Sequence, residues 1–381
     1  MAVLDVTNRC NMKCTYCNRF KKSDIEKGYQ EPSVYEINQI YHDVEKNGIM
    51  HLALQGGEPF LRQDIIYIIE SIGKHKKSSQ INLKKEWMTL VNKQMSHDRF
   101  MISSYLLLKK ICFPIMSITS NGTIYSDKLR QCLYNNNFHL EISIDSVNEK
   151  YHSQYRIGAE KNYYQIISNI KKYSEELAVI LKTTVYEDNV KSMADMIGLA
   201  YDLGCIHVVF TPLIASGRAK GAKSNWISDY VKQVNRIIEM GCEKRLPVIV
   251  EIVFSAMYLT SEEEYYNMRK KVKQASNIIL SFHTCKAYQD VNEIYISSNL
   301  DVYGCPQLLY MEGGNIGSLK RNEISVLWER QQRKILQSII EKRSQLVQCR
   351  NCILLEHCRA GCIANSKCFN NTFDYFCQFH H

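Results

Sequence analysis

This 381-residue chain contains no run of eighteen apolar residues, the length a bilayer-spanning helix needs at roughly 1.5 Å per residue. The most apolar segment, VIVEIVFSAMYL at 248–259, carries Glu251 and is too short to cross a membrane. The N-terminus has no basic region followed by an apolar stretch. A secretion signal is therefore not expected, and the expected compartment is cytoplasmic. Internal repeats and low-complexity linkers are missing too. With 45% apolar residues, the chain fits one large α/β domain and a smaller one.

Cysteine is not scarce. Fifteen are present, and in a reducing compartment they are not expected to form structural disulfides, which leaves metal or catalytic use. Three fall at 10–17 and eight between 285 and 377. Cys112, Cys132, Cys205 and Cys242 are scattered and are expected to be buried structural thiols. Charge is uneven as well. The net charge is +9, and Lys74 to Lys110 holds nine Lys or Arg against Glu86 and Asp98, a local +7. That excess suggests an acidic partner; the plainer reading is a solvated helix face.

Strand patterns appear at 2–7, 51–55, 113–119, 139–146, 177–186 and 205–213. Helix-period segments lie between them at 33–47, 61–74, 126–136, 162–175 and 191–203. The alternation predicts repeated βα units and a parallel sheet, here a partial (β/α)6 TIM-like barrel over 1–220. Functional loops in such folds gather at the carboxyl ends of the strands. The connection from Gly57 to Asn121 is about twice the usual length, and its excess, 75–112, reads as a basic helical insertion. A polar, Gly-rich stretch at 218–228 suggests a boundary. Residues 221–280 read as a bridging region, helical with one apolar strand, and 281–381 as a small cysteine-rich domain with a β-hairpin.

The first three thiols, Cys10, Cys14 and Cys17, are spaced Cys-x3-Cys-x2-Cys. On a helix they would form a stripe on one face. Polar neighbours and a position directly after a strand favour a loop that wraps three thiolates round one centre and leaves a coordination position open. Zinc and iron–sulfur clusters both suit such a donor set.

CNMKCTYC resembles the cluster loop of the radical S-adenosylmethionine (SAM) enzymes, with Tyr16 as the aromatic before the last cysteine. Gly56-Gly57-Glu58-Pro59 resembles the family's Gly-Gly-Glu-Pro motif. The resemblance implies that Cys10, Cys14 and Cys17 hold a [4Fe–4S] cluster whose fourth iron is chelated by SAM. It also implies that an electron from the cluster releases a 5′-deoxyadenosyl radical, which takes a hydrogen atom from the substrate. It assigns Gly56, Gly57 and Glu58 to the SAM amino group, for which carbonyls and a carboxylate are suitable acceptors. ISIDSVNEKYHSQYR resembles the fourth-strand motif and offers Ser143 and Arg156 to the SAM carboxylate, with one residue more between them than the family pattern has. Ser120-Asn121-Gly122 resembles the third-strand turn. TPLIASGRA at 211–219 resembles the segment near adenine, with Leu213 facing it.

The C-terminal cysteines read alone as a zinc module. With Cys285, Cys305 and Cys377 added, Cys349-x2-Cys352-x5-Cys358-x3-Cys362 resembles the SPASM domain appended to many radical SAM enzymes. That implies two auxiliary [4Fe–4S] clusters. Cys285, Cys305 and Cys362 would serve the nearer, with Cys368 as an available fourth ligand, and Cys349, Cys352, Cys358 and Cys377 the outer. EIYISSNLDVYGC reads as a hairpin turning at Ser298-Asn299. Leu300 stands where the family pattern has glycine, so Asn299 is expected to take the left-handed position.

The leading expectation is a peptide maturase. It would act on a ribosomal precursor peptide, install an oxidative C–C or C–S crosslink, and draw electrons from a flavodoxin or ferredoxin. An acidic leader peptide would dock on 74–110. Relatives acting on a sulfatase side chain or on a small molecule are the alternatives. A basic zinc-ribbon protein that binds nucleic acid is the reading from another class; it leaves the N-terminal thiols and the βα units unexplained. On the leading expectation, neither nucleic acid nor a membrane is a partner. No general base is readable.

Overall fold

A computed structural model describes residues 1–19, 31–75, 82–93, 114–159, 162–219, 225–244, 246–282, 293–309, 311, 313–345, 347–358, 361–362 and 377–378. Cys112, Cys285 and Cys368 lie outside them, as do most residues of the basic segment.

The strands expected from the sequence are all present: β1 (Ala2–Thr7), β2 (His51–Gly56), β3 (Ile115–Ser120), β4 (Phe138–Ser143), β5 (Val179–Val185) and β6 (His207–Pro212). Two more, β7 (Ile249–Phe254) and β8 (Ile278–Phe282), continue the parallel order. The region read as a bridge therefore extends the same sheet. β9 (Ile294–Ile296) pairs in parallel with the free edge of β1, followed by antiparallel β10 (Asp301–Tyr303) and β11 (Asn315–Ser318). The order β11-β10-β9-β1-β2-β3-β4-β5-β6-β7-β8 makes an open, partial barrel.

Helices cover the convex face: α1 (Val34–Lys46), α2 (Ile65–His75), α4 (Asp127–Asn135), α6 (Tyr163–Ser174), α7 (Met193–Asp202), α8 (Ile227–Glu243) and α9 (Glu262–Gln274); α5 (Glu149–Tyr155) follows β4 at the carboxyl rim, and α10 (Ile324–Gln345) follows β11. Serine caps start several of them; at α1, Ser33 and Glu36 form a capping box. Leu181, Val208, Phe210 and Ile252 face these helices and are fully buried in one core. Alternate residues face the concave side, and in β5 and β6 these are only half-buried. The barrel thus has a lined, accessible lumen. No described helix is long and apolar enough to cross a membrane.

The described part of the insertion, α3 (Leu83–Asn92), is a plug on one face and keeps Lys85, with Lys93 at its end, exposed on another. Its Leu90 and Val91 are buried against Ala178, Ile206 and Ile249, with Ile180 and Ile279 beside them. These residues precede or open β5 to β8, so α3 closes the amino end of the barrel. Trp87 Nε1 lies 3.3 Å from His139 Nε2, and Asn277 Nδ2 donates to Val91 O at 3.3 Å. Lys84 donates to the carbonyls of Ser174 and Glu175 at the end of α6, where a helix dipole favours a cation. The described part of the expected docking segment buries one face, while Lys74, Lys85 and Lys93 stay exposed.

Two smaller expectations need correction. Cys132 and Cys205 are buried, but Cys242 is exposed. It sits on α8 beside buried Gly241 and turns outward, its Sγ 3.6 Å from Lys271 O. In the β9–β10 turn the left-handed residue is Leu300 itself, at φ 68°, not Asn299. Asn299 holds the turn through Asp301 Oδ2 at 2.8 Å, while the Leu300 side chain is buried in the core. That burial, about 1.5–3 kcal/mol for a leucine, outweighs a left-handed strain of about 1–2 kcal/mol.

Candidate active site

The loop after β1 carries the first three thiols. Cys10, Cys14 and Cys17 are free and half-buried. Backbone bonds from two neighbouring loops shape the segment: Lys13 N to Ile157 O and Thr15 N to Tyr155 O, both 2.8 Å, and Arg218 N to Cys17 O at 3.1 Å. Burial pushes the Cys10 thiol up to about 12, and the fields of Glu58, Cys14 and Cys17 add to it. Burial also raises Cys14, against the pull of Arg156. The three sulfurs therefore share one neighbourhood. Among the described residues no three Cys, His, Asp or Glu close on a single point as one metal ion requires. A zinc site would need its sulfurs about 2.3 Å from the ion. Three half-buried thiols on one loop, each within reach of the others' charge, are a donor set of the kind that holds an iron–sulfur cluster.

The Gly56-Gly57 pair is required by the chain before it can serve any ligand. A Cβ on Gly56 would lie 2.2 Å from Thr7 O, and one on Gly57 2.1 Å from Arg9 O. That close approach lets Gly57 N donate to Thr7 O and Glu58 N to Arg9 O, each at 2.7 Å. Glu58 points inward and is fully buried. Its carboxylate accepts from Ser120 Oγ at 2.9 Å, Asn121 N at 2.6 Å and Phe60 N at 3.1 Å. Burial raises it to about 7 against those three bonds. Buried Pro59 opens the short turn that Glu58 caps. Asn121 Nδ2 in turn donates to Asn11 Oδ1 at 2.7 Å, inside the thiol loop. Glu58, Ser120 and Asn121 thus tie β2 and β3 to that loop. Glu58 shapes the rim and does not present an open carboxylate.

Arg156 reaches the same loop despite the extra residue in its motif. Its Nε and Nη2 grip Asp145 at 2.7 and 3.2 Å, a buried two-point pair. The Tyr16 hydroxyl also donates to Asp145, and its ring lies 5.5 Å beneath the guanidinium. Thr184 N donates to Asp145 Oδ1 at 3.0 Å, and Asp145 N donates to His152 Nδ1 at 3.2 Å. Burial lowers His152 to about 4, so it stays neutral. Asp145 is the organising residue of this corner, and sequence reasoning gave it no role although it lies inside the quoted ISIDS. Ser143 stands half-buried at the end of β4. Leu213 follows β6 and is mostly buried, its N–H bonded to Val185 O at 2.8 Å.

Arg19 was also missed. Two residues past Cys17 it turns into the lumen, pairs with Asp5, donates to Gln55 Oε1 at 2.7 Å and to the Tyr295 hydroxyl at 3.2 Å. Tyr295 lies on β9, so this cluster joins the thiol loop to the start of the C-terminal region. Across the lumen, Glu141 accepts from Thr119 Oγ1 at 2.6 Å and Lys182 Nζ at 2.9 Å. Burial alone would raise Glu141; Lys182, His51 and Thr119 hold it down to about 2. Further round lie His207, Glu251 and Ser281 on β6, β7 and β8.

Of the C-terminal thiols, Cys349, Cys358 and Cys377 are buried and Cys305, Cys352 and Cys362 half-buried. Cys305 follows β10. Cys352 N donates to Cys349 O at 3.1 Å in the turn after α11 (Val347–Arg350). Cys358 ends α12 (Leu355–Cys358), where His357 stacks on Tyr265 at 4.2 Å, and Gln378 N donates to Met257 O at 2.8 Å.

Comparison with known proteins adds three findings. Over the whole chain the fold is that of SuiB from Streptococcus suis, with a TM-score of 0.69 at 13% identity, covering 99% of this chain and 76% of that one. It is equally that of anSMEcpe with bound AdoMet, with a TM-score of 0.63 at 18% identity, covering 100% and 94%. Among curated relatives, a GTP 3',8-cyclase of Clostridium perfringens is 24% identical over 250 residues, 64% of this chain and 65% of that protein. The subtilosin biosynthesis protein AlbA of Bacillus subtilis is 22% identical over 232 residues, 60% of this chain and 40% of AlbA. The model of the Radical SAM superfamily matches residues 4–200, more than half of the chain and the part that holds the thiol loop and its rim; the chain belongs to the radical SAM superfamily.

Proposed function

We propose that this chain is a SPASM-type peptide maturase, which takes a hydrogen atom from a side-chain carbon of a ribosomal precursor peptide and closes an oxidative C–C or C–S crosslink. One observation carries the reading. β9 pairs in parallel with β1 and β10 returns antiparallel to it, so Cys305 leaves this edge at the amino end of β1 and Cys10 at its carboxyl end. Two cysteine sets then stand on one strand frame, one at each end, which supports a reaction that removes a second electron from its substrate. SuiB has been solved with its precursor peptide SuiA and anSMEcpe with the Cp18Cys peptide, which supports a peptide substrate here.

Cys10, Cys14 and Cys17 would hold the SAM-binding [4Fe–4S] cluster. The C-terminal cysteines would hold two auxiliary clusters in the division given above, with Cys368 as a further donor. When bound, the cluster and SAM supply the 5′-deoxyadenosyl radical. The chain's own residues do the rest. Gly56 and Gly57 bring the rim against the thiol loop, and their carbonyls would accept from the SAM ammonium. Ser143 and Arg156 orient its carboxylate, with Asp145 fixing the guanidinium, and Leu213 packs on adenine. α3 seals the lumen from below and keeps water from entering by that end. A flavodoxin or ferredoxin would be the electron donor.

The curated relatives favour a second reading, cyclisation of a nucleotide such as GTP. A triphosphate calls for cations that are free to meet it. Among the described lumen residues, Arg19 and Lys182 are each held by a carboxylate. The test is 5′-deoxyadenosine release by the reconstituted enzyme, with candidate precursor peptides and with GTP. Peptide-dependent release and a peptide mass lower by two hydrogens support the maturase. Release that depends on GTP alone overturns it.

A further inference from the structure

Among the described residues the lumen charges do not balance. Lys182 lies in the fields of three carboxylates, Glu141 in contact and Glu251 and Glu293 farther off. Arg19 is paired with Asp5. Glu251 is left with weak company. Ser281 Oγ reaches its Oε1 at 3.4 Å, and His207 Nε2 stands 3.5 Å from its Oε2. Burial pushes His207 below its ordinary value, so the imidazole is neutral near pH 7 and offers no full charge. Its Nε2 is buried without a hydrogen-bond partner.

The position of Glu251 suits a ligand. It alternates with buried Val250 and Ile252 on β7, so it faces the concave side, and its side chain keeps 23% of its exposure. Val209 and Thr211 on β6 and Val253 on β7 are half-buried around the same space. Ile249 below it on β7 and Ile279 beside it on β8 belong to the apolar cluster made with α3. A carboxylate above an apolar floor and under half-buried aliphatic walls matches a long alkyl stem that ends in a cation.

We propose that the lumen binds a cationic side chain of the substrate, lysine or arginine, with Glu251 as its counter-ion. The proposal deepens the peptide-maturase reading and rests on the lumen being the substrate chamber. It names what enters, not the atom that reacts.

The test is equilibrium dialysis of the full chain, reconstituted and loaded with SAM, against Nα-acetyl-lysine N-methylamide and its norleucine and glutamine counterparts. The lysine compound should bind about tenfold more tightly than either isostere, the scale of one charge-assisted pair. Glu251→Gln should erase that preference while SAM binding and iron content stay at wild-type levels. Ser281→Lys, which introduces a tethered cation at a position whose serine oxygen now lies 3.4 Å from the carboxylate, should erase it too, and serves if Glu251→Gln misfolds. Equal binding of the three compounds, absence of binding, or a preference that survives in both variants overturns the proposal. Failure of the maturase reading would appear elsewhere, as 5′-deoxyadenosine release that ignores every peptide while the lysine preference remains.

Discussion

At the carboxyl end of the barrel the chain is held by polar contacts between distant residues. Glu58 ties β3 to the rim, Asn121 reaches Asn11, Asp145 grips Arg156 and Tyr16, and Arg19 folds back on Asp5 and Tyr295. At the amino end an apolar cluster under one helix, α3, supplies most of the described cover, with polar contacts from Lys84, Trp87 and Asn277 at its margin. The difference teaches where precision is needed. Hydrogen bonds fix direction and spacing, as a loop of three thiols beside a SAM site requires. An apolar plug only has to exclude water, and many shapes can do that. The ends should therefore respond differently to damage.

The largest effect is expected at Asp145. Asp145→Ala leaves Arg156 buried without its partner, a loss of about 3–5 kcal/mol. Denaturant unfolding should show that loss, and iron bound by the loop after reconstitution should fall with it. Iron retained at the wild-type level would mean the pair does not seat the loop. Leu90→Ala should cost about 2–3 kcal/mol through a cavity in the plug. Here the expected outcome at 15 °C is the reverse in function: reduced stability with iron content and peptide-independent SAM cleavage unchanged.

A third effect distinguishes the ends by pH. Glu58 is raised by burial from 4.5 to about 7. The folded state thus binds its proton more tightly than the unfolded state, so this contribution is full below about 4.5 and is lost as pH rises through 7. Unfolding free energy from pH 4.5 to 7.5 should contain a decline that Glu58→Gln removes and Leu90→Ala does not. The smallest effect is expected at Lys84. Lys84→Met removes a cation from the end of α6 and should cost about 1 kcal/mol or less, with no change in iron.

Much of this was legible in the sequence. Period-2 strands alternating with helices located the six strands to within about three residues, because burial on one face leaves a local pattern. Cys10, Cys14, Cys17 and the Gly56-Gly57 rim were legible because their spacing carries chemistry. Asp145 and Arg19 were not, since an ion pair between residues 11 or 14 positions apart leaves no periodic trace. The role of α3 was hidden for a related reason. Periodicity shows that a helix has an apolar stripe but not what the stripe meets. Leu300 was misread because burial of its side chain overrode the local preference for glycine or asparagine.

The most direct measurement is iron and sulfide per chain after anaerobic reconstitution, in the wild type and in a Cys10/Cys14/Cys17→Ala triple variant. A fall from about twelve irons to about eight, with loss of SAM cleavage, is the expected result for one SAM cluster and two auxiliary clusters. Equal iron in both proteins, or zinc in place of iron, would contradict the assignment of the loop.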